Sequence, residues 1–213
     1  MKKLFLTAVV VVMATLSVQA QIPAEVKSVM EKCQAAMSNP NGVEYSMDIR
    51  ISMGPVGMTT NIVTASKGEM ERSTMTMKML GRSVTMQSGY DGDESWSVEQ
   101  MAGTDTIRIS KKHEKSSSDG EIDFGIGEGF KKAKMSVKND CYVIDYSDPI
   151  DKKSEIKKAT FKISTKNYTL REMKTSVKGA KVTMTVNKIK IGLKDDYFKL
   201  DLSKYPDAVV VRE

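Results

Sequence analysis

The stretch VEYSMDIRISM, residues 43–53, alternates without a break. Val43, Tyr45, Met47, Ile49, Ile51 and Met53 fall on one side, and Glu44, Ser46, Asp48, Arg50 and Ser52 on the other. Successive side chains of a strand point to opposite faces, so this pattern predicts one long β-strand with a dry face and a wet face. Similar stretches follow after short turns: MTTNIVTAS (58–66), STMTMKML (73–80), RSVTMQSGY (82–90), ESWSV (94–98) and TDTIRIS (104–110). The turns are marked by Gly54, Pro55 and Gly57, by Gly68, and by Asp91, Gly92 and Asp93. No helical pattern separates these segments, which disfavours a parallel α/β fold and favours sequential antiparallel strands.

Within STMTMKML a methionine recurs at every second position, placing Met75, Met77 and Met79 on one face and Thr74, Thr76 and Lys78 on the other. Methionine is unbranched and polarizable, so it suits a wall that adapts to ligands of varying shape as well as it suits a closed core. Strand patterns resume with AKMSVKN (133–139), CYVIDYS (141–147), IKKATFKIS (156–164), YTLREMKTSV (168–177) and KVTMTVNKIKIGL (181–193). About ten strands in succession predict a highly curved antiparallel sheet, an incomplete and half-open β-barrel of mainly β (α+β) class.

Outward from the sheet, PAEVKSVMEKCQAAM places Val26, Val29, Met30, Cys33 and Met37 on one helix face, with Pro23 in the first turn and Asn39 to Gly42 as the stop. One amphipathic helix of roughly four turns is expected, with a single apolar stripe to bury. One short helix covers only part of the dry faces of so many strands, which leaves apolar surface for a ligand or partner. The stretch 111–132, KKHEKSSSDGEIDFGIGEGFKK, is polar and rich in Ser and Gly, and reads as a long, flexible, lid-like loop.

The chain opens MKKLFLTAVVVVMATLSVQA, a basic start, an apolar run and small residues before Ala20, which is the pattern of a cleaved secretory signal peptide over residues 1–20. Residues 21–213 then make a single domain. Cleavage there removes Lys2 and Lys3 and lowers the net charge from +6 to +4. The remaining lysines are scattered at alternate positions with no dense basic patch, which argues against a nucleic-acid partner. Cys33 and Cys141 permit one disulfide in an exported chain or remain as two buried free thiols.

Catalytic chemistry lacks its usual groups. The sole histidine, His113, sits in the charged loop with no partner in sequence, and one His with two distant Cys gives no zinc spacing. GIGEGF (125–130) carries no following Lys-Ser/Thr for a phosphate loop, and the Asp-rich turns fail the spacing of a calcium loop. No enzyme activity, cofactor or metal is expected.

Three stretches carry a family resemblance. SGYDGDESWSV (88–98) supplies an Asp91-Gly92 turn leading to Trp96. FKISTKNYTLREMKTSVKGAKVTMTVNKIKIG (161–192) supplies paired long strands with Asn187 on the last, and DYFKLDLSKYPDAVVV (196–211) supplies Phe198, Tyr205 and Pro206. In this order they resemble the LolA-like periplasmic carriers of outer-membrane lipoproteins. The resemblance implies a signal peptide, an N-terminal helix and an unclosed barrel whose interior receives acyl chains. It implies a soluble periplasmic carrier that binds lipoprotein acyl chains or another lipid and moves them toward the outer membrane. An inner-membrane release complex and an outer-membrane acceptor would then be its partners. The alternative is a non-transporting envelope sensor of lipid or peptide with the same fold. The expected groove residues are Tyr45, Met47, Ile49, Ile51, Met53, Met75, Met77, Met79, Trp96 and Met184, with Arg72 as the lid contact.

Overall fold

The computed structural model describes residues 22–79, 82–101, 104–111 and 129–212. The expected signal peptide and most of the expected lid, His113 included, lie outside the described residues.

Helix α1 spans Ala24–Met37 and buries Val26, Val29, Cys33 and Met37 of the stripe its periodicity predicts, while Met30, also expected there, is half-buried against the core. It starts after Pro23, and no side chain caps its N-terminus. The chain then turns through Gly42 at φ 86, where only glycine is unstrained, into the first strand.

The strands are β1 Val43–Met53, β2 Val56–Lys67, β3 Met70–Met79, β4 Arg82–Tyr90, β5 Ser95–Met101 and β6 Thr104–Ser110. After the long connection come β7 Phe130–Lys138, β8 Cys141–Pro149, β9 Ile156–Ser164, β10 Leu170–Val177, β11 Ala180–Ile191 and β12 Val209–Arg212. They form one sheet in the order β12-β6-β5-β4-β3-β2-β1-β11-β10-β9-β8-β7. β12 and β7 are its edges and do not pair with each other, so the curved sheet stays open and no barrel closes.

Two details depart from the sequence reading. The described residues form twelve strands rather than about ten, and the terminal VVVR segment adds to β6 in parallel, unlike the other described pairings. It covers part of what would otherwise be a bare row of backbone donors and acceptors. The expected loop through Lys132 also ends early: β7 begins at Phe130, whose ring is buried and lies 5.8 Å from that of Tyr146.

Directly paired residues share a face, so the register divides the sheet cleanly. On the face that carries α1, the main core gathers Val26, Val29, Cys33 and Met37 with Val43, Tyr45 and Met47 of β1, Met184 and Val186 of β11, and Ile144, Tyr146, Phe161 and Ile163 of β8 and β9. The far face of this half is polar and solvated, with Glu172 paired to Lys162 at 2.7 Å and to Lys174 at 3.0 Å. In the other half, β2–β6, coverage is reversed. The buried apolar side chains there, Ala65, Trp96, Val98, Ile107 and Ile109, lie on the far face beneath the C-terminal segment, residues 193–208, while Thr60 of β2 is buried on the helix-side face.

A bulge bends the centre of the sheet. The β1–β11 register shifts between Ser46 and Met47, which leaves an additional residue on β11 and sharpens the local twist. Beside it Asp48 accepts from Asn61 Nδ2 at 3.0 Å and from Asn187 Nδ2 at 2.8 Å, joining β2, β1 and β11 across the far face.

Candidate functional site

Following the register across β1 to β4 assembles the helix-side face residue by residue. Met47 pairs with Ile62, Ile62 with Met75, and Met75 with Met86. One row further, Ile49 pairs with Thr60, Thr60 with Met77, and Met77 with Val84. A third row begins with Ile51 opposite Met58. Apolar residues on four strands therefore meet on one sheet face, interrupted in the second row by Thr60.

This face is continuous with the main core but is not sealed as the core is. Tyr45, Met47 and Met184 are buried under α1, and Ile49 and Ile62 pack partly against the same cluster. Beyond them Met75, Met77 and Val84 are half-buried, while Met58 and Met86 are 37% and 43% exposed. None of these five belongs to a buried cluster among the described residues. Toward the β1–β2 turn Ile51 and Met53 are exposed, and the side chain of Met79 lies outside the described residues.

Of the expected groove residues, then, Tyr45, Met47, Ile49, Ile51, Met53, Met75, Met77 and Met184 share one face. Trp96 does not. It pairs with Gly89, Gly89 with Arg72, and Arg72 with Ala65, which places all four on the far face. Trp96 is 4% exposed, and its Nε1 donates to the Phe198 carbonyl at 3.0 Å. It anchors the C-terminal segment instead of lining the methionine face.

Arg72 lies on the same far face. Its guanidinium donates to the Tyr197 carbonyl at 2.9 Å and to Gln87 Oε1 at 3.2 Å, with Cζ 5.4 Å from the Trp96 ring and 5.3 Å from the Tyr197 ring. An arginine held between two aromatic rings and a carbonyl is a strong fixed clamp. Among the described residues it clamps the C-terminal strap to the far face, and most of the expected lid lies outside the described residues. Lys67 binds Leu193 O and Asp195, Gln87 Nε2 donates to Tyr205 Oη at 2.8 Å, and Tyr197 Oη donates to Glu44. The strap leaves a shallow cleft of about 180 Å³ against β5 and β6, lined by Trp96, Ile109, Leu200 and Leu202 and crossed by the Arg212–Glu94 pair at 3.5 Å.

The cysteines are resolved by the same geometry. Cys33 lies on the buried stripe of α1. Cys141 precedes Tyr142, which packs partly against the helix-side core, so the alternation of β8 turns Cys141 to the far face. Both thiols are free. Burial pushes the Cys33 thiol up to about 11, opposed by its hydrogen bond to the Leu170 backbone. Burial, helped by the neighbouring Cys33, likewise pushes the Tyr45 phenol up to about 12. Both groups stay neutral at physiological pH and behave as parts of an apolar wall.

The sequence reading missed Met58, Ile62, Val84 and Met86 on this face, and the strap residues Tyr197 and Leu200. Counting register through the short turns finds the first group. Nothing local marks the second, since the strap has no period.

No protein-family model matches the sequence, and no curated protein matches it. Solved structures do match in fold. An uncharacterized conserved protein from Thermus thermophilus superposes with a TM-score of 0.50 at 9% identity, over 89% of this chain and 99% of that one. The Mycobacterium tuberculosis lipoprotein LppX superposes with a TM-score of 0.51 at 11% identity, over 79% of this chain and 97% of its own. The chain shares its fold with these two proteins. A LolA superfamily protein from Nitrosomonas europaea is also matched, with a TM-score of 0.36 at 12% identity over 82% of this chain and 97% of that one. At such identities the likeness speaks for the fold alone.

Proposed function

We propose that this protein is an exported soluble carrier, made as a signal peptide of residues 1–20 and one domain of residues 21–213. It binds acyl chains of lipoproteins, or of another lipid, against the helix-side face of β1–β4 and passes them toward the outer membrane. An inner-membrane release complex and an outer-membrane acceptor are its partners in this reading. The observation that carries it is the half-open methionine face. Met75, Met77, Met58, Met86 and Val84 continue the core laterally yet join no buried cluster among the described residues. Covering a side chain of this size is worth about 1.5–3 kcal/mol when complete, so several half-covered ones favour an apolar ligand.

Two further features support the reading. Helix α1 is held by a stripe of four buried side chains and lacks a side-chain N-cap, so an incoming chain can shift it without breaking polar contacts at that end. Methionine walls repack around chains of different shape. The test is purification without detergent, lipid extraction and mass spectrometry, with displacement of a fluorescent fatty acid as the binding assay. Bound lipid and saturable displacement are expected. The absence of both ends the carrier reading, and binding without transfer to acceptor membranes leaves the sensor alternative in its place.

A further inference from the structure

Among the described residues, one hydroxyl in the main core has no partner. Tyr45 is 1% exposed, and its Oη makes no hydrogen bond to any of them. A buried donor left unmade costs about 1–3 kcal/mol, so its persistence needs a reason.

The register supplies one. Tyr45 pairs with Thr64, Thr64 with Ser73, Ser73 with Ser88, and Ser88 with Ser97. Five hydroxyl-bearing residues thus cross β1 to β5 in a single row on the helix-side face. The neighbouring row on that face is Met47, Ile62, Met75 and Met86, two residues along each strand and therefore about 7 Å away. The row begins under α1 and runs out onto the half-open part of the sheet. Along it exposure rises from buried at Tyr45 through half-buried at Thr64 and Ser73 to exposed at Ser88, and Ser97 at its end is half-buried.

We propose that this row is a head-group subsite. Its ligand is an ester-linked acyl lipid whose chain lies on the methionine rows, whose ester carbonyl accepts from Tyr45 Oη–H, and whose remaining oxygens meet Thr64, Ser73 and Ser88. The proposal rests on the carrier reading and adds the position and chemistry of the polar end. Tyr45 is a donor here because its phenol is neutral. An ester carbonyl is an acceptor with no proton to compete, which fits a site built of hydroxyls with no cation among these five side chains.

The test uses the purified full protein and displacement of a fluorescent fatty acid by two competitors of equal chain length, 1-palmitoylglycerol and hexadecane. The wild type is expected to prefer the ester lipid by about tenfold, the size of one or two net hydrogen bonds. In Tyr45→Phe, and separately in a Ser73→Ala/Ser88→Ala double variant, that ratio falls toward one. Tyr45→Phe also melts higher without ligand, because the orphaned hydroxyl is gone. A wild-type ratio near one, or a ratio that survives both variants, overturns the subsite while leaving the carrier standing. Failure of both competitors to displace the probe overturns the carrier reading and the subsite with it.

Discussion

Gly89→Ala is the sharpest test of how the two sheet faces are assigned. Gly89 pairs with Trp96 on one side and Arg72 on the other, all on the far face. A Cβ at this position would lie 2.5 Å from Trp96 Cζ2, 2.7 Å from Cε2 and 2.8 Å from the Glu71 carbonyl oxygen. The backbone oxygen cannot yield, so the indole must move. Overpacking of this kind costs about 1–3 kcal/mol. Displacing the indole also loses its hydrogen bond to Phe198, worth about 1 kcal/mol, and part of the Arg72 contact, worth about 0.5–1 kcal/mol. A total near 3 kcal/mol lowers the melting midpoint by about 6–12 °C for a chain of this size. Because Trp96 is the sole tryptophan, its emission should shift to the red as the strap loosens. Fatty-acid displacement should change little, since the methionine face is on the other side. An unchanged midpoint and emission, or lost binding with the melting point intact, would refute the placement of Trp96 under the strap.

The remaining predictions concern three other parts of the molecule. Met77→Glu sets a carboxylate among half-buried apolar side chains and should weaken fatty-acid binding by at least about tenfold. Lys78→Glu, one residue on and on the far face, is the control, and equal binding by the two variants removes Met77 from the groove. For the cysteines, one thiol should label readily in the native protein and two after unfolding, with no intrachain disulfide on non-reducing gels, since Cys33 is buried with its pKa raised to about 11 and Cys141 is half-buried. Labelling of Cys33 at the same rate as Cys141 in the folded state contradicts this packing. Hydrogen bonds from Asn61 and then Asn187 hold the Asp48 carboxyl below its ordinary range. A depressed folded-state pKa contributes stability that is complete above the unfolded value of about 3.9 and disappears as pH falls through the folded value. Asp48→Asn should therefore lower stability at neutral pH and flatten its loss in acid below about pH 4. Parallel pH–stability curves for variant and wild type show that the two bonds do not act on folding.

Much of the architecture was legible because local rules govern it. The alternation of residues 43–53 and the stripe Val26, Val29, Met30, Cys33 and Met37 are short-range patterns; they appear as one strand, dry at Val43, Tyr45 and Met47 and exposed on the same face at Ile51 and Met53, and as one helix face on which Met30 is half-buried. Even the opposite placement of Met75 and Trp96 was accessible in principle. The turn between Tyr90 and Ser95 pairs Gly89 with Trp96, and the β3–β4 register pairs Arg72 with Gly89, so counting across β3, β4 and β5 puts tryptophan and methionines on opposite faces. Grouping them by hydrophobicity alone hid this, because a strand's period tells which residues share a face and not which strands' dry faces coincide.

By itself, then, the sequence determined the elements: one amphipathic helix, a run of antiparallel strands with apolar and polar sides, and a methionine-rich face too wide for the helix to cover. Only the tertiary structure decided how those sides are closed. Trp96 and Phe198 meet across 102 residues, and Arg72 reaches Tyr197 across 125. Such contacts follow from the sheet's curvature and the path of an aperiodic strap, neither of which leaves a local signal. The same long-range packing puts Cys33 and Cys141 on opposite faces and leaves the Tyr45 hydroxyl buried without a partner among the described residues. The reason is physical: propensity and periodicity act over a few residues, whereas which surface is covered depends on segments brought together only when the whole sheet has formed.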